Sequence, residues 1–324
     1  MRHLNPARRN DAFVVLEDVS KRYRGFPALD MVSFAIDEGE IFGYIGPNGA
    51  GKTTTIKIMV GLISDFQGSM LVGGYKMPGS KGDVHKMLGY LPQSVSFQEW
   101  RTVDHALTTF GRLSGLGKKE VDDRIEETLR LVGLSDMRYK KIIELSGGNV
   151  QKVGLAQAIL HEPKFLVMDE PLVGLDPESR HDSKDVIREL SKKGTTVFFS
   201  SHILSDVQDM ATRIGILNRG RIMTVGTLDE LKAHLSPTNV IALEISHDAK
   251  RTKDIESIPG VIEVERPSQN RMLIHLEGGA DMDESSHLIL KRLIELGYRV
   301  RSFGPASPDL DHLYLQYVEW GRGQ

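Results

Sequence analysis

The chain has no cysteine. That excludes a disulfide framework and any thiolate-ligated metal, and it fits a reducing compartment. Long apolar runs are missing too. Stretches such as Ala12–Leu16 and Phe165–Met168 fall far short of the ~20 residues that a membrane-spanning helix requires. Charge of one sign is also scarce: 41 Lys and Arg stand against 44 Asp and Glu, a net charge of −3, so no basic field marks nucleic acid as the main partner. The N-terminal stretch MRHLNPARRN is basic, but no apolar segment follows it. It therefore reads as a solvated, flexible tail over residues 1–11 and not as a secretory signal. Internal repeats and low-complexity segments are absent.

What is present is an ordinary globular composition, 40% hydrophobic and 26% charged, in 324 residues, enough for two compact domains. From Ala12 to about residue 236, short apolar strands alternate with helical patterns and glycine punctuation, the mark of an α/β domain. Glu40–Ile45, Lys164–Met168 and Thr195–Phe199 read as strands, and Lys52–Leu62 as a helix. From about residue 94 to 160 the pattern turns helical. Lys118–Leu131 sets Val121, Ile125 and Leu129 four residues apart with charges between, an amphipathic helix inside an inserted helical subdomain. A second unit is expected over 237–324. Ile241–Ser246, Val261–Glu265, Met272–Leu276 and Tyr298–Phe303 read as strands, Arg251–Ile258 and Ser285–Leu296 as helices. The order β-α-β-β-α-β is that of a ferredoxin-like unit. Ser307-Pro308 opens a final helix, and the acidic run Asp281–Glu284 is a helix-start feature and not a metal site.

Gly46–Thr53 reads GPNGAGKT and satisfies G-x-x-x-x-G-K-[ST] in full, between an expected strand and an expected helix. Gly46, Gly49 and Gly51 let backbone N–H groups wrap phosphates, with Pro47, Asn48 and Ala50 between them and Thr54 following. Lys52 is expected to reach the β- and γ-phosphates, and the Thr53 hydroxyl to ligate Mg²⁺. Asp169 and Glu170 close a buried apolar strand. Beside a phosphate loop they divide the labour: Asp169 holds the Mg²⁺ shell and Glu170 polarises the attacking water. His202, at the end of TTVFFSS, is placed to contact the γ-phosphate. A second glycine-rich stretch, ELSGGNVQKVG (Glu144–Gly154), offers backbone N–H groups to an anion but has no lysine where a phosphate loop needs one.

With these motifs in this order, residues 13–235 resemble the ATPase of an ATP-binding cassette (ABC) transporter: a P-loop α/β core with an inserted helical subdomain, followed here by the small α+β unit. The resemblance implies further roles. Tyr23 sits where the family stacks a ring on adenine. Gln93 matches the Q-loop glutamine, which touches Mg²⁺ and couples to a transmembrane partner. Leu145–Asn149 matches the LSGGQ signature, so that Ser146, Gly147, Gly148 and Asn149 face nucleotide. Gly174-Leu175-Asp176 matches the D-loop and Ser201-His202 the switch histidine. Two departures stand out: Asn149 replaces the usual glutamine, and Leu172-Val173 replaces the usual Thr-Ser or Thr-Asn.

The resemblance implies ATP and Mg²⁺ as cofactors and a head-to-tail dimer in which each signature completes the partner's phosphate site. It also implies separate transmembrane permease subunits, with the chain peripheral on the cytoplasmic face of the plasma membrane. The appended C-terminal unit is similar to that of exporters of drugs, lipids or polysaccharides. The competing reading is a non-transport cassette in translation or DNA repair. The translation type carries two cassettes in tandem and the repair type a long coiled-coil insertion, whereas this chain has one Walker A loop and no such insertion. A P-loop small-molecule kinase would have no use for a signature and a switch histidine.

Overall fold

The computed structural model describes residues 12–233, 240–246, 253–277 and 281–305. The tail expected over 1–11 and the helix expected from Ser307 lie outside them. Two compact units divide between Asp229 and Glu230, a few residues before the expected boundary at 236.

The first unit opens with a long hairpin, β1 (Ala12–Tyr23) and β2 (Phe26–Asp37), followed by β3 (Ile41–Ile45) and α1 (Lys52–Met59). Next come β4 (Gln67–Val72), β5 (Tyr75–Met77), α2 (Lys81–Met87) and β6 (Leu88–Leu91). Three helices follow, α3 (Val103–Leu113), α4 (Lys118–Leu131) and α5 (Gly147–Ile159), with two short 3₁₀ turns between the last two. The unit continues with β7 (Phe165–Asp169), α6 (Pro177–Lys192), β8 (Thr196–Ser201), α7 (Leu204–Met210), β9 (Arg213–Asn218) and β10 (Arg221–Gly226). α8 (Leu228–Ala233) comes after it in the chain.

Two sheets result. One is antiparallel, in the order β2-β1-β4-β5; the other runs β10-β9-β3-β8-β7-β6 and is parallel from β9 to β6. Every residue of β3, β7 and β8 is buried, so these strands show no alternation and read as continuous apolar runs. The sheets meet through aromatic rings. Phe34 of β2 stacks on Phe42 of β3 at 5.1 Å, and Phe198 of β8 packs on Tyr44 at 5.2 Å. Tyr44 also reaches α1, its hydroxyl 3.2 Å from Thr55 Oγ1, and burial pushes its phenol up. The core under the phosphate loop is thus tied to the loop's own helix.

Most expected elements occur with shifted ends. The α1 helix stops at Met59, short of Leu62, because Gly61 turns to φ +75° and ends it. Glu40 stays outside β3; its carboxylate accepts the Asp37 N–H and meets Arg213. In the helical subdomain, α4 covers Lys118–Leu131 as expected, with Val121, Ile125 and Leu129 buried. Residues 94–102 are not helical. There Thr102 bridges Lys141, and its hydroxyl then caps α3 by accepting from His105 N.

The second unit is a four-stranded antiparallel sheet of β11 (Val240–Ile245), β12 (Val261–Ser268), β13 (Arg271–Leu276) and β14 (Val300–Pro305), with α9 (Lys253–Glu256) and α10 (Met282–Glu295). Its order, β12-β13-β11-β14, is the ferredoxin-like one. Ile241, Leu243 and Ile245 alternate inward from β11 and pack with Ile255, Ile289 and Leu293 from the helices. Asp281 caps α10, accepting from Asp283 N and Glu284 N, which accounts for the acidic run.

Gly89 on β6 shows how closely the sheet is covered. A Cβ there would lie 2.2 Å from the carbonyl oxygen of Ala158 on α5. Gly89→Ala is expected to lower stability by about 1–3 kcal/mol, read as a shifted urea midpoint. Gly82→Ala, where a Cβ meets nothing within 4 Å, serves as the control.

Candidate nucleotide site

The phosphate loop leaves the C-terminal end of β3, and Asp169 and Ser201 end the neighbouring strands β7 and β8. Open α/β sheets bind ligands at this edge. Both ends of the loop are pressed against their surroundings: a Cβ on Gly46 would fall 2.3 Å from Leu217 O, and one on Gly51 2.6 Å from Ala28 O. Gly49 and Gly51 adopt φ +79° and +114°, open only to glycine at low cost. The turn after β9 braces the loop from below, Gly220 N donating to Ala50 O at 2.8 Å.

Lys52 is buried at the first position of α1. Its ammonium donates to Gly46 O at 2.7 Å and lies 3.4 Å from Glu170 Oε1. The other carboxylate oxygen of Glu170, Oε2, meets His202 Nδ1. Glu170 therefore sits between two cationic or proton-bearing side chains, 6% exposed. Its backbone is left-handed, φ +53°, a conformation that costs a non-glycine residue about 1–3 kcal/mol and concentrates at functional sites. Ser200 holds it there: the hydroxyl accepts from Glu170 N at 3.0 Å and donates to Asp169 Oδ1 at 2.7 Å. Ser201 Oγ accepts from Ile203 N and so fixes the turn that presents His202.

The remaining expected residues lie on several other elements. Thr53 and Thr54 are half-buried on α1, and Gln93 is exposed just after β6, at the same sheet edge. Tyr23 is exposed at the end of β1, with the Lys21 ammonium 5.1 Å from its ring centroid. Ser146 caps α5, accepting from Asn149 N at 3.3 Å, so the loop without a lysine is a helix N-terminus. Its neighbours lie on the D-loop and the start of α6: a Cβ on Gly148 would meet Asp176 Oδ2, Ser179 Oγ and Leu175, whereas one on Gly147 would meet nothing within 4 Å. Asp176 in turn caps α6 by accepting from Ser179 N at 2.9 Å, and that hydrogen bond holds its carboxyl below the usual range.

His202, expected at the γ-phosphate, pairs with Glu170, as does Lys52, and neither pairing is legible in the sequence. Nor is Ser200 singled out there. The visible signal for Ser200 was a hydroxyl pair closing an otherwise apolar strand. Among the described residues no three His, Cys, Asp or Glu side chains cluster to hold a metal by themselves. Thr53, Asp169 and Gln93 offer oxygen only, the hard donor set that suits Mg²⁺ shared with phosphate and water.

Comparison with known proteins agrees with this geometry. Residues 29–173 match the family described as "ABC transporter", and residues 226–318 match "ATP-binding protein DrrA1-3-like, C-terminal domain". An uncharacterised ABC transporter ATP-binding protein of Bacillus subtilis, YxlF, is 37% identical over 304 residues, 94% of this chain and 98% of that protein. The chain belongs to the ATP-binding proteins of ABC transporters. The linearmycin resistance ATP-binding protein LnrL of the same organism is 34% identical, covering 71% of this chain and 74% of its own length. A solved structure of an ATP-binding subunit of an ABC transporter superposes with a TM-score of 0.63 at 31% identity, over 68% of this chain and 92% of its own. The cassette is accordingly an ATPase subunit of a transporter and not a translation or repair factor. Among the described residues no helix is long and apolar enough to cross a membrane.

Two expectations follow. Lys52→Ala weakens ATP affinity itself by at least about 10-fold, measured by equilibrium binding of labelled nucleotide; unchanged affinity would rule out the placement of phosphate at this loop. Asp176, with its lowered carboxyl pKa, contributes stability that is present above the ordinary carboxylate range and lost as pH falls through the lowered value. Asp176→Asn should therefore lower stability at neutral pH and change it less below the lowered value, which flattens the acid limb of the stability–pH curve read by thermal melts.

Proposed function

We propose that this cassette powers an exporter, hydrolysing ATP at two composite sites formed by a head-to-tail pair of cassettes docked on separate transmembrane subunits. The observation that carries the reading is the buried Glu170 carboxylate between Lys52 and His202 at the mouth of the phosphate loop. A carboxylate so placed accepts a proton from the attacking water, and His202 keeps it oriented while facing the terminal phosphate. Lys52, released from Gly46 O, neutralises charge on the β- and γ-phosphates. Thr53, Asp169 and Gln93 would hold Mg²⁺, which would supply charge neutralisation to the phosphates. Tyr23 stacks on the base.

Signature residues Ser146–Asn149 supply N–H and hydroxyl donors to the partner's nucleotide, which already has its own Lys52. That is why the signature needs no lysine. Closure follows because ATP touches both cassettes only in the closed pair. The direction of transport is supported by the match of the C-terminal unit to a DrrA-like domain and by the likeness to a resistance ATP-binding protein. The chain's location at the cytoplasmic face of the plasma membrane follows from that partnership.

Glu170→Gln is expected to bind ATP normally, to lose hydrolysis by at least about 100-fold and to accumulate an ATP-bound dimer on size-exclusion chromatography. Purified from solubilised membranes in that state, the tagged chain should carry a polytopic membrane protein in fixed ratio. Normal hydrolysis by this variant sinks the role given to Glu170, and recovery of the chain on ribosomes instead sinks the transporter reading.

A further inference from the structure

Helix α6 carries charge on the side that it buries. Lys184 is 7% exposed, and its ammonium lies 2.9 Å from Asp206 Oδ1 and 2.7 Å from Asp209 Oδ2. Arg180, one turn earlier, comes to 3.7 Å from the same Asp206 oxygen. Asp206 belongs to α7 and is 1% exposed. A carboxylate this deeply buried is costly unless cations meet it. Burial works against the charge on Lys184, but its two carboxylates outweigh that effect and hold the lysine above its ordinary range.

The place of Asp206 gives the pair a use. Together with Phe199 and Ser201 it lines a narrow space, too small for water, beside the turn Glu170-Pro171-Leu172-Val173. Asp206 thus stands behind both segments that present the Glu170–His202 pair. The residue Leu172 is buried there where the family has a polar one, so it brings no donor. Among the described residues Oδ1 of Asp206 receives no well-directed hydrogen bond; it is held by charge. At its other end α6 starts at the Asp176 cap, and Lys152 of α5 pairs with Asp182 of α6 at 2.8 Å.

We propose that the Lys184–Asp206 ion pair is a positioning device: it fastens the backing of the Glu170–His202 pair to the helix that begins at Asp176, so that displacement of that loop by a second cassette reaches the hydrolytic carboxylate. Lys184 and Asp206 are positioning residues and touch no nucleotide. The inference rests on the role given above to Glu170 and on the paired-cassette reading.

Full-length Lys184→Met, the neutral pair Lys184→Met/Asp206→Asn and the charge-conserving Lys184→Arg test it. The neutral pair guards against a single variant that misfolds around a stranded charge. In the folded neutral pair kcat should fall by about 10- to 100-fold, with ATP Kd and KM within about twofold of the wild type. It should also accumulate the ATP-bound dimer although Glu170 is intact, a readout that general loosening of the fold would abolish. Lys184→Arg should restore kcat to within about threefold. Wild-type kcat in the neutral pair, loss of nucleotide binding in step with kcat, or failure of Lys184→Arg to restore activity each overturns the proposal. Failure of the underlying reading is separate: Glu170→Gln alone would then hydrolyse ATP at the normal rate.

Discussion

One buried carboxylate sets the terms for the site. Glu170 is almost out of water, and a carboxylate there survives as a charge only with cations or donors around it. Lys52 comes from the phosphate loop, His202 from the end of β8, and the Ser200 hydroxyl fixes the backbone between them. Lys52 follows β3, Glu170 follows β7, and Ser200 and His202 belong to β8 and its end. The carboxylate therefore demands that β3, β7 and β8 end at one level, and the parallel register of these three strands meets that demand.

The same edge needs a loop that can wrap phosphates without relaxing. Its first and last glycines, Gly46 and Gly51, are packed under the carbonyls of Leu217 and Ala28, which pins both ends of the loop. The aromatic core behind it, Phe34, Phe42, Tyr44 and Phe198, is continuous with that support through the Tyr44–Thr55 contact. Rigid backing is what preorganised donors require, since any reorganisation at the moment of reaction would be subtracted from their effect. The left-handed backbone of Glu170 is a local cost that this backing can sustain.

How much of this was legible depends on range along the chain. The phosphate loop, the acidic strand end and the β-α-β-β-α-β order are short-range patterns, and their element types are those observed. Lys118–Leu131 was readable to its ends because buried residues four apart leave one register. The end of α1 was not, since Leu62 continues the apolar pattern and only the left-handed Gly61 stops the helix. Pairings across the chain were invisible for a different reason. Lys184 stands among charged neighbours in a sequence that looks solvated, Lys152 is the lone charge of α5, and only packing of α5, α6 and α7 turns them inward. Ser200 was signalled only by a pair of hydroxyls at the end of β8, which does not say which of the two turns toward Glu170.

The stretch without a lysine gains a physical reason from its neighbours. A helix N-terminus capped by Ser146 attracts an anion but holds it weakly when exposed. It becomes useful where another group already supplies the full positive charge. Within this chain its close neighbours are Asp176 of the D-loop and Ser179 of α6, and α5 is clamped to α6 by Lys152 and Asp182. A nucleotide drawing Ser146–Asn149 toward itself therefore pulls on the helix that Lys184 joins to Asp206. In a pair of cassettes the signature of one chain would serve one site, while Glu170 of that chain would serve the other. A helix tied to both turns occupancy of the first into a force on the second, and apolar Leu172 above Asp206 keeps that tie ionic by giving the carboxylate no competing donor.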